Sequence, residues 1–342
     1  MTIDLKKIKQ QIRILDPRQE FKEATFEYEI RYDPLTSRQG RVISYRFSLP
    51  EVPDLTEMIE NTQKICPFCP EVIDKFAARF PKDFIPEGMI REGDATLVPN
   101  LMPYSKYGAV VVLSKRHYLR MKDFTEEIII NALRACQEYF KQVKSFDPKV
   151  KYFSIGWNYM PIAGGSIVHP HMQVEADEYP FMYHRDILQA SEEYYKKNSS
   201  IFWEDLIAKE KEIGERYVGE TGNVTWLAPF LPRGKIMPDI MGIFRDVDSI
   251  LNISESDLLD FANGLCRVLH YLSDQNFYSL NIAIYSGITM EDSFWTNARI
   301  VARGLFPPAN VSDHDHIQRF NDEFCACRLP EEICSEAKVY FN

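Results

Sequence analysis

Two histidines, a glutamine and a pair of cysteines carry most of the chemistry this chain can offer. In His169-Pro-His-Met-Gln173 the residues at 169, 171 and 173 alternate, so on a β-strand their side chains leave one face while Pro170 points away. A row of polar groups is costly against a dry core, so that face must look onto a metal, a ligand or a cavity. An isolated pair of this kind is more often two histidines on a wet sheet face. Cys66-Pro-Phe-Cys69 has the spacing of a zinc knuckle, a spacing shared by metal sites, redox pairs and chance. A redox pair wants its motif at the start of a helix within a βαβ unit, whereas here Pro70 follows and a Pro-rich stretch, Leu49-Pro-Glu-Val-Pro53, precedes. No second CxxC completes an all-cysteine site, so the missing ligands must be histidines. His117, just after the apolar run Ala109–Leu113, and His169 are the best placed, which gives two thiolates and two imidazoles around one metal. His171 is then left on the same face with a nitrogen available as a nucleophile near neutral pH. The turn before it, Gly164-Gly165-Ser166, lets the backbone come close to an anion and offers N–H groups and a hydroxyl.

The surrounding pattern supplies elements to hold these groups. Alternating apolar residues around a Pro/Ser/Gly break make 28–46 a hairpin, and 95–104 and 108–114 read as two strands. A helix is expected over 126–144, then two more strands at 152–158 and 167–175 joined by the glycine turn. The first fourteen residues have apolar positions at roughly helical spacing. Charged residues dominate 184–220, around Ala208-Lys-Glu-Lys-Glu-Ile-Gly-Glu-Arg216, which reads as solvated helix joining two halves. After it, Thr225-Trp-Leu-Ala-Pro-Phe-Leu-Pro232 resembles Thr96-Leu-Val-Pro-Asn-Leu-Met-Pro103, and a helix at 257–273 and strands at 278–285 and 295–302 follow in the earlier order. The expectation is an α+β chain built by internal duplication: a unit at 1–183 carrying the metal site and nucleophile, a helical connection at 184–220, and a degenerate unit at 221–342. The counterpart strand in the second unit reads Asn297-Ala-Arg299, without histidines.

Bulk properties narrow the partners. The chain has 342 residues with 40 Lys plus Arg against 50 Asp plus Glu, a formal charge of −10, the wrong sign for gripping a nucleic-acid backbone. No apolar run approaches the roughly 20 residues a membrane span needs. The N-terminus carries no continuous apolar segment of the secretory kind, and seven unevenly spaced cysteines suit reduced thiols, so a cytoplasmic location is expected.

Taken in order, Arg31-Tyr-Asp-Pro-Leu-Thr36, Cys66-Pro-Phe-Cys69, Pro99-Asn100, His117, and Asn158 through Gly164-Gly165-Ser166 to His169-Pro-His-Met-Gln173 resemble galactose-1-phosphate uridylyltransferases, the transferase branch of the histidine-triad superfamily. The resemblance covers most of residues 28–176 by motif and 220–340 by pattern. It implies two histidine-triad-like units of mostly antiparallel sheet covered by helices, and zinc, one per chain, held by Cys66, Cys69, His117 and His169. It makes His171 the residue that takes up a nucleoside monophosphate covalently, with Gln173 and Ser166 binding the phosphoryl oxygens. Gly164 and Gly165 would shape that cradle, Asn158 and Asn100 would meet the substrate, and Arg46 would match a phosphate-binding arginine. The implied reaction moves a nucleoside monophosphate between a nucleotide sugar and a sugar 1-phosphate, in a homodimer. A phosphorylase or hydrolase using the same histidine with phosphate or water, and a zinc-stabilised nucleotide-binding module without turnover, are the alternatives. The chain departs from the family at Trp157, at Met160 and Met172, where glycines are common, and at Leu101, where aspartate is.

Overall fold

The computed structural model describes residues 3–44, 51–235, 237–288, 292–306 and 309–342. Its first three strands, β1 (Lys7–Asp16), β2 (Lys22–Tyr32) and β3 (Gln39–Val42), form an antiparallel sheet that a strand from the far end of the chain, Phe324–Ala326, completes in parallel with β3. The N-terminal segment is therefore not the expected helix. Ile8, Ile12 and Ile14 fall on alternate positions and stand opposite Ile30, Phe26 and Ala24 of β2, and those β-branched, cross-strand pairs outweigh the partial helical spacing.

The larger sheet has ten strands. Five come from the first half: β4 (Ile90–Glu92), β5 (Ala95–Pro99), β6 (Tyr107–Val112), β7 (Tyr152–Tyr159) and β8 (His171–Asp177). Five come from the second: β9 (Tyr217–Thr221), β10 (Val224–Leu227), β11 (Asp239–Phe244), β12 (Ser279–Tyr285) and β13 (Asn297–Arg303). Their order is β4-β5-β6-β8-β7-β12-β13-β11-β10-β9. Each half thus lays its strands down in the same sequence from its own edge, and β7 pairs antiparallel with β12 at the middle.

Two short helices, α1 (Thr56–Gln63) and α2 (Ile73–Phe76), flank the CxxC loop. Two long ones, α3 (Glu126–Phe146) and α6 (Glu255–Asp274), cover one face of the large sheet. The hydroxyl of Thr125 accepts from the Ile128 N–H at the start of α3, and Ser254 with Asp257 forms a capping box on α6. Both helices turn an apolar stripe inward, Ile129, Leu133, Tyr139, Phe140 and Val143 from α3 and Phe261, Leu265, Val268 and Leu272 from α6. The sheet answers with alternate residues: Phe153, Ile155, Trp157 and Tyr159 of β7 are buried against them. The residues between, Ser154, Gly156 and Asn158, are left for the opposite face, and that face carries the site.

The charged segment folds as α4 (Met182–Asn198) and α5 (Phe202–Ile213). It is not merely solvated, because Phe202, Trp203, Leu206 and Ile207 pack into a second core with Ile187, Phe294 and Trp295. Glu210 and Arg216, taken from sequence as a surface charge run, are buried and paired at 3.0 Å. Arg216 also reaches Glu331, which meets the buried Arg31 at 3.0 Å, so one ionic cluster joins β2, α5 and the helix Pro330–Ala337.

Candidate metal centre and nucleophile site

The CxxC loop, the segment after β6 and the residues leading into β8 meet at one edge of the open sheet face. Cys66, Cys69, His117 and His169 are all buried there, and one ligand atom from each lies within 4.8 Å of every other. Cys66 Sγ is 3.6 Å and Cys69 Sγ 3.7 Å from His169 Nδ1, and Cys69 Sγ is 3.5 Å from His117 Nδ1. In a zinc tetrahedron with Zn–S near 2.3 Å and Zn–N near 2.05 Å, the S···N edge is about 3.6 Å. The three S···N distances match that edge, and the donor set of two thiols and two imidazoles suits that ion.

The groups behind the ligands set the rings correctly. His169 Nε2 is 2.7 Å from the Ser114 carbonyl, which can only accept, so the proton sits on Nε2 and Nδ1 turns its lone pair to the centre. His117 does the same through Thr62, whose hydroxyl lies 3.1 Å from Nε2 and spends its own proton on the Met58 carbonyl at 2.7 Å. The Phe68 N–H donates to Cys66 Sγ. Burial and the neighbouring Cys66 push the Cys69 thiol up to about 12, while burial drives His169 down to about 4.

His171 opens β8, which starts four residues later than the sequence pattern suggested, so His169 precedes the strand. Its Nδ1 is 2.8 Å from the His169 carbonyl. The carbonyl accepts the Nδ1 proton, which makes Nε2 the ring's basic nitrogen, and burial holds the imidazole below its ordinary pKa and hence neutral. Phe68 lies against both histidine rings, with centroids 6.4 Å from His169 and 5.5 Å from His171. The backbone of His169 thus orients the His171 ring, and Phe68 of the CxxC loop walls it.

His171 lines a cavity of about 370 Å³ together with Gln173, Asn158, Gly164, Ser166 and Asn100. The structure therefore gathers the sequence candidates around one space. Gly164 has φ +90°, which glycine supplies at no cost. Gly165 does not line the cavity but is packed beneath the turn, where an added Cβ would meet the Asn158 carbonyl at 2.5 Å. Met160, where the sequence departs from the glycine common in the family, sits at φ 72° and ψ 159°, a region rarely open to side chains, so this turn holds backbone strain beside the site. Arg46 lies outside the described residues.

Sequence reasoning passed over the cavity's rim. Leu101, Met102 and Tyr104 are about three-quarters or more exposed and line it with Phe76, forming an apolar lip. The signal was present in Asn100-Leu-Met-Pro-Tyr104, a Pro-marked loop with more apolar surface than a loop needs. On β13, which stands in its half as β8 does in the first, Arg299 is paired with Asp239 at 2.8 Å.

No family model matches the chain. An uncharacterized protein of Archaeoglobus fulgidus is 34% identical over 316 residues, spanning 92% of this chain and 92% of that one. Among solved structures, a GalT-like protein from Arabidopsis thaliana superposes with a TM-score of 0.70 at 17% identity, covering 91% of this chain and 98% of the other. An ADP-glucose phosphorylase from Arabidopsis thaliana with bound ADP-glucose gives the same TM-score, identity and coverage. A uridylyltransferase gives 0.66 at 19% identity, over 91% of this chain and 98% of that one. The chain belongs to one family with the Archaeoglobus fulgidus protein, and its fold is that of the GalT-like proteins and uridylyltransferases.

Proposed function

We propose that this chain is a nucleotidyltransferase that passes a nucleoside monophosphate through His171, from a nucleotide sugar to a sugar 1-phosphate. The observation that carries the reading is the His171 Nδ1 contact with the His169 carbonyl, which leaves a neutral, basic Nε2 on a ring that lines one cavity with Gly164, Ser166 and Gln173. In the first step the Nε2 lone pair forms the N–P bond to the α-phosphorus. The bond from phosphorus to the bridging oxygen breaks, and its electron pair leaves with the sugar 1-phosphate. In the second step an oxygen of the incoming sugar 1-phosphate attacks phosphorus and the N–P pair returns to Nε2. The Gln173 amide and the Ser166 hydroxyl donate toward the equatorial oxygens, where charge builds, while the Gly164 and Gly165 N–H groups are spent within the turn on the Pro161 and Met160 carbonyls. Gln173 has no proton to give to a leaving group, which suits exchange between two phosphate acceptors. The apolar lip of Leu101, Met102 and Tyr104 offers surfaces for the nucleobase.

Cys66, Cys69, His117 and His169 would hold one zinc ion. Bound there, zinc supplies no reacting group; it keeps the thiols ionised and pins His169, and His169 in turn orients His171. The similar folds of an ADP-glucose phosphorylase and a uridylyltransferase support nucleotide-sugar chemistry at this position. The repeated strand order supports two units of one design at 1–183 and 221–342 joined by 184–220. All seven cysteines are free, which suits a reducing cytoplasm, and we take the working form to be a homodimer.

The test is a half-reaction with a panel of nucleoside diphosphate sugars and no acceptor. Transfer through His171 releases about one sugar 1-phosphate per chain and stops until a sugar 1-phosphate is added. Release that continues in buffer makes the chain a hydrolase, and a stalled release that resumes with inorganic phosphate but not with a sugar 1-phosphate makes it a phosphorylase. Binding with no release at all removes catalysis from the account.

A further inference from the structure

On the open face of the large sheet, a second cavity of about 380 Å³ lies directly beside the His171 pocket, and Asn158 lines both. The register shows why they join. Gln173 of β8 stands opposite Gly156 of β7, Gly156 opposite Ala283 of β12, and Ala283 opposite Arg299 of β13. Residues paired this way share a face. Gly156, next but one to Asn158 on β7, lines the second cavity, and a Cβ there would meet nothing nearer than the Ile282 carbonyl at 4.0 Å. No neighbouring side chain demands that glycine, and its missing side chain leaves clearance on the sheet face between Gln173 and Ala283. Strands lie about 4.8 Å apart, so the second cavity begins about 5 Å from the His171 strand and extends to about 14 Å at β13.

Its walls carry four cations and the carboxylate of Asp313. Arg299, Arg303 and Lys235 line it, and each is matched by one carboxylate: Asp239 at 2.8 Å, Asp313 at 2.6 Å and Asp315 at 2.7 Å. Arg233 differs. Its guanidinium lies over the Tyr183 ring at 3.4 Å and also faces Phe324 at 5.2 Å, and no carboxylate among the described residues pairs with it. A planar cation fixed by stacking keeps its N–H edges for a ligand with two oxygens.

The hydrogen bonds between the cavities also run in one direction. Arg303 can only donate, and it donates to Asn281 Oδ1 at 2.6 Å; Asn281 Nδ2 therefore donates to Asn158 Oδ1 at 2.7 Å. That fixes the Asn158 amide so that its NH₂ is the end left for a ligand oxygen.

We infer that this second cavity receives the far end of the leaving or accepting group, and that this group carries a second anion, a phosphate or a carboxylate, about one sugar length beyond the transferred phosphorus, bound by Arg233. The inference rests on the reading of the His171 pocket as the transfer site. Arg233 supplies the charge, Asn158 a donor between the two anions, and Gly156 the clearance.

The experiment compares a hexose 1-phosphate, a hexose 1,6-bisphosphate and a hexuronic acid 1-phosphate as ligands of the full chain by calorimetry, alongside the acceptor-free release assay. The wild-type chain should bind one of the doubly anionic compounds at least about tenfold more tightly than the monophosphate, in line with one charge-assisted bidentate contact. Which compound gains identifies phosphate or carboxylate. In Arg233→Met the ratio should fall to within about twofold, with Arg233→Lys between. Gly156→Val, a β-branched residue well suited to a strand, should remove the same advantage by filling that clearance. Equal binding of all three by the wild-type chain, or an advantage that survives both Arg233→Met and Gly156→Val, overturns the inference. If stoichiometric release of sugar 1-phosphate is seen while the ratio is flat, only this inference fails. If release is absent, the reading of the His171 pocket fails instead.

Discussion

Replacing Gly165 with alanine tests how tightly the glycine turn must sit. The added Cβ would lie 2.5 Å from the Asn158 carbonyl and 3.1 Å from that of Met160, both backbone atoms, and ordinary contact starts near 3.4 Å. About 0.9 Å of movement is therefore required. Asn158 is held in β7 by its pairing with β12, so the turn is the side that yields, and Ser166 moves with it. A displacement near 1 Å between reacting groups costs about 10²-fold, or roughly 2.7 kcal/mol of barrier. The assay is the single-turnover rate of sugar 1-phosphate release, with metal content and thermal unfolding measured on the same preparation. The expected result is a rate about a hundredfold lower with zinc still bound. A Gly165→Ala chain within threefold of the wild-type rate would show that the turn does not position the phosphoryl group.

Three further outcomes follow from other contacts. Purified chain should contain about one zinc, and Thr62→Val, which removes the acceptor behind His117, should weaken zinc binding by about 10- to 100-fold in a chelator competition; unchanged affinity would deny Thr62 that role. Glu331→Gln removes the carboxylate that Arg31 and Arg216 share, leaving them Glu29 and Glu210, and should destabilise the fold by about 1–3 kcal/mol in denaturant titration. Burial opposes the charged form of Glu331, yet Arg31 and Arg216 outweigh it and hold its carboxyl below the usual range. Its contribution is therefore present at neutral pH and lost as pH falls through that depressed value, and the gap between wild type and Glu331→Gln should narrow in acid; a pH-independent gap would contradict the pairing.

The site was largely legible in the sequence because its parts are local. CxxC spacing, alternation of His171 and Gln173 and a double glycine each encode geometry within a few residues, while His169, which precedes the strand, and His117 reach the cysteines through the fold. The strands 152–158 and 278–285 and the helices at 126–144 and 257–273 were visible for the same reason, since apolar periodicity reports which face is covered. What escaped depended on distant partners. The N-terminal segment is a strand because β2 stands beside it, with Ile12 opposite Phe26. Glu210 and Arg216 are buried because Arg31 and Glu331 arrive from opposite ends of the chain to complete their cluster. The second cavity is written in no motif, because its arginines come from β13 and from the segment after β10 and meet only when the two halves share one sheet.

Peptide mapping by mass spectrometry after mixing the chain with a nucleotide sugar it binds, quenched at neutral to alkaline pH where a phosphorus–nitrogen bond survives, addresses the transfer step most directly. One nucleoside monophosphate per chain should be found on His171, absent from His171→Gly and discharged by a sugar 1-phosphate. A bound nucleotide sugar with no mass gain, or a nucleotide carried on any other residue, would contradict the account.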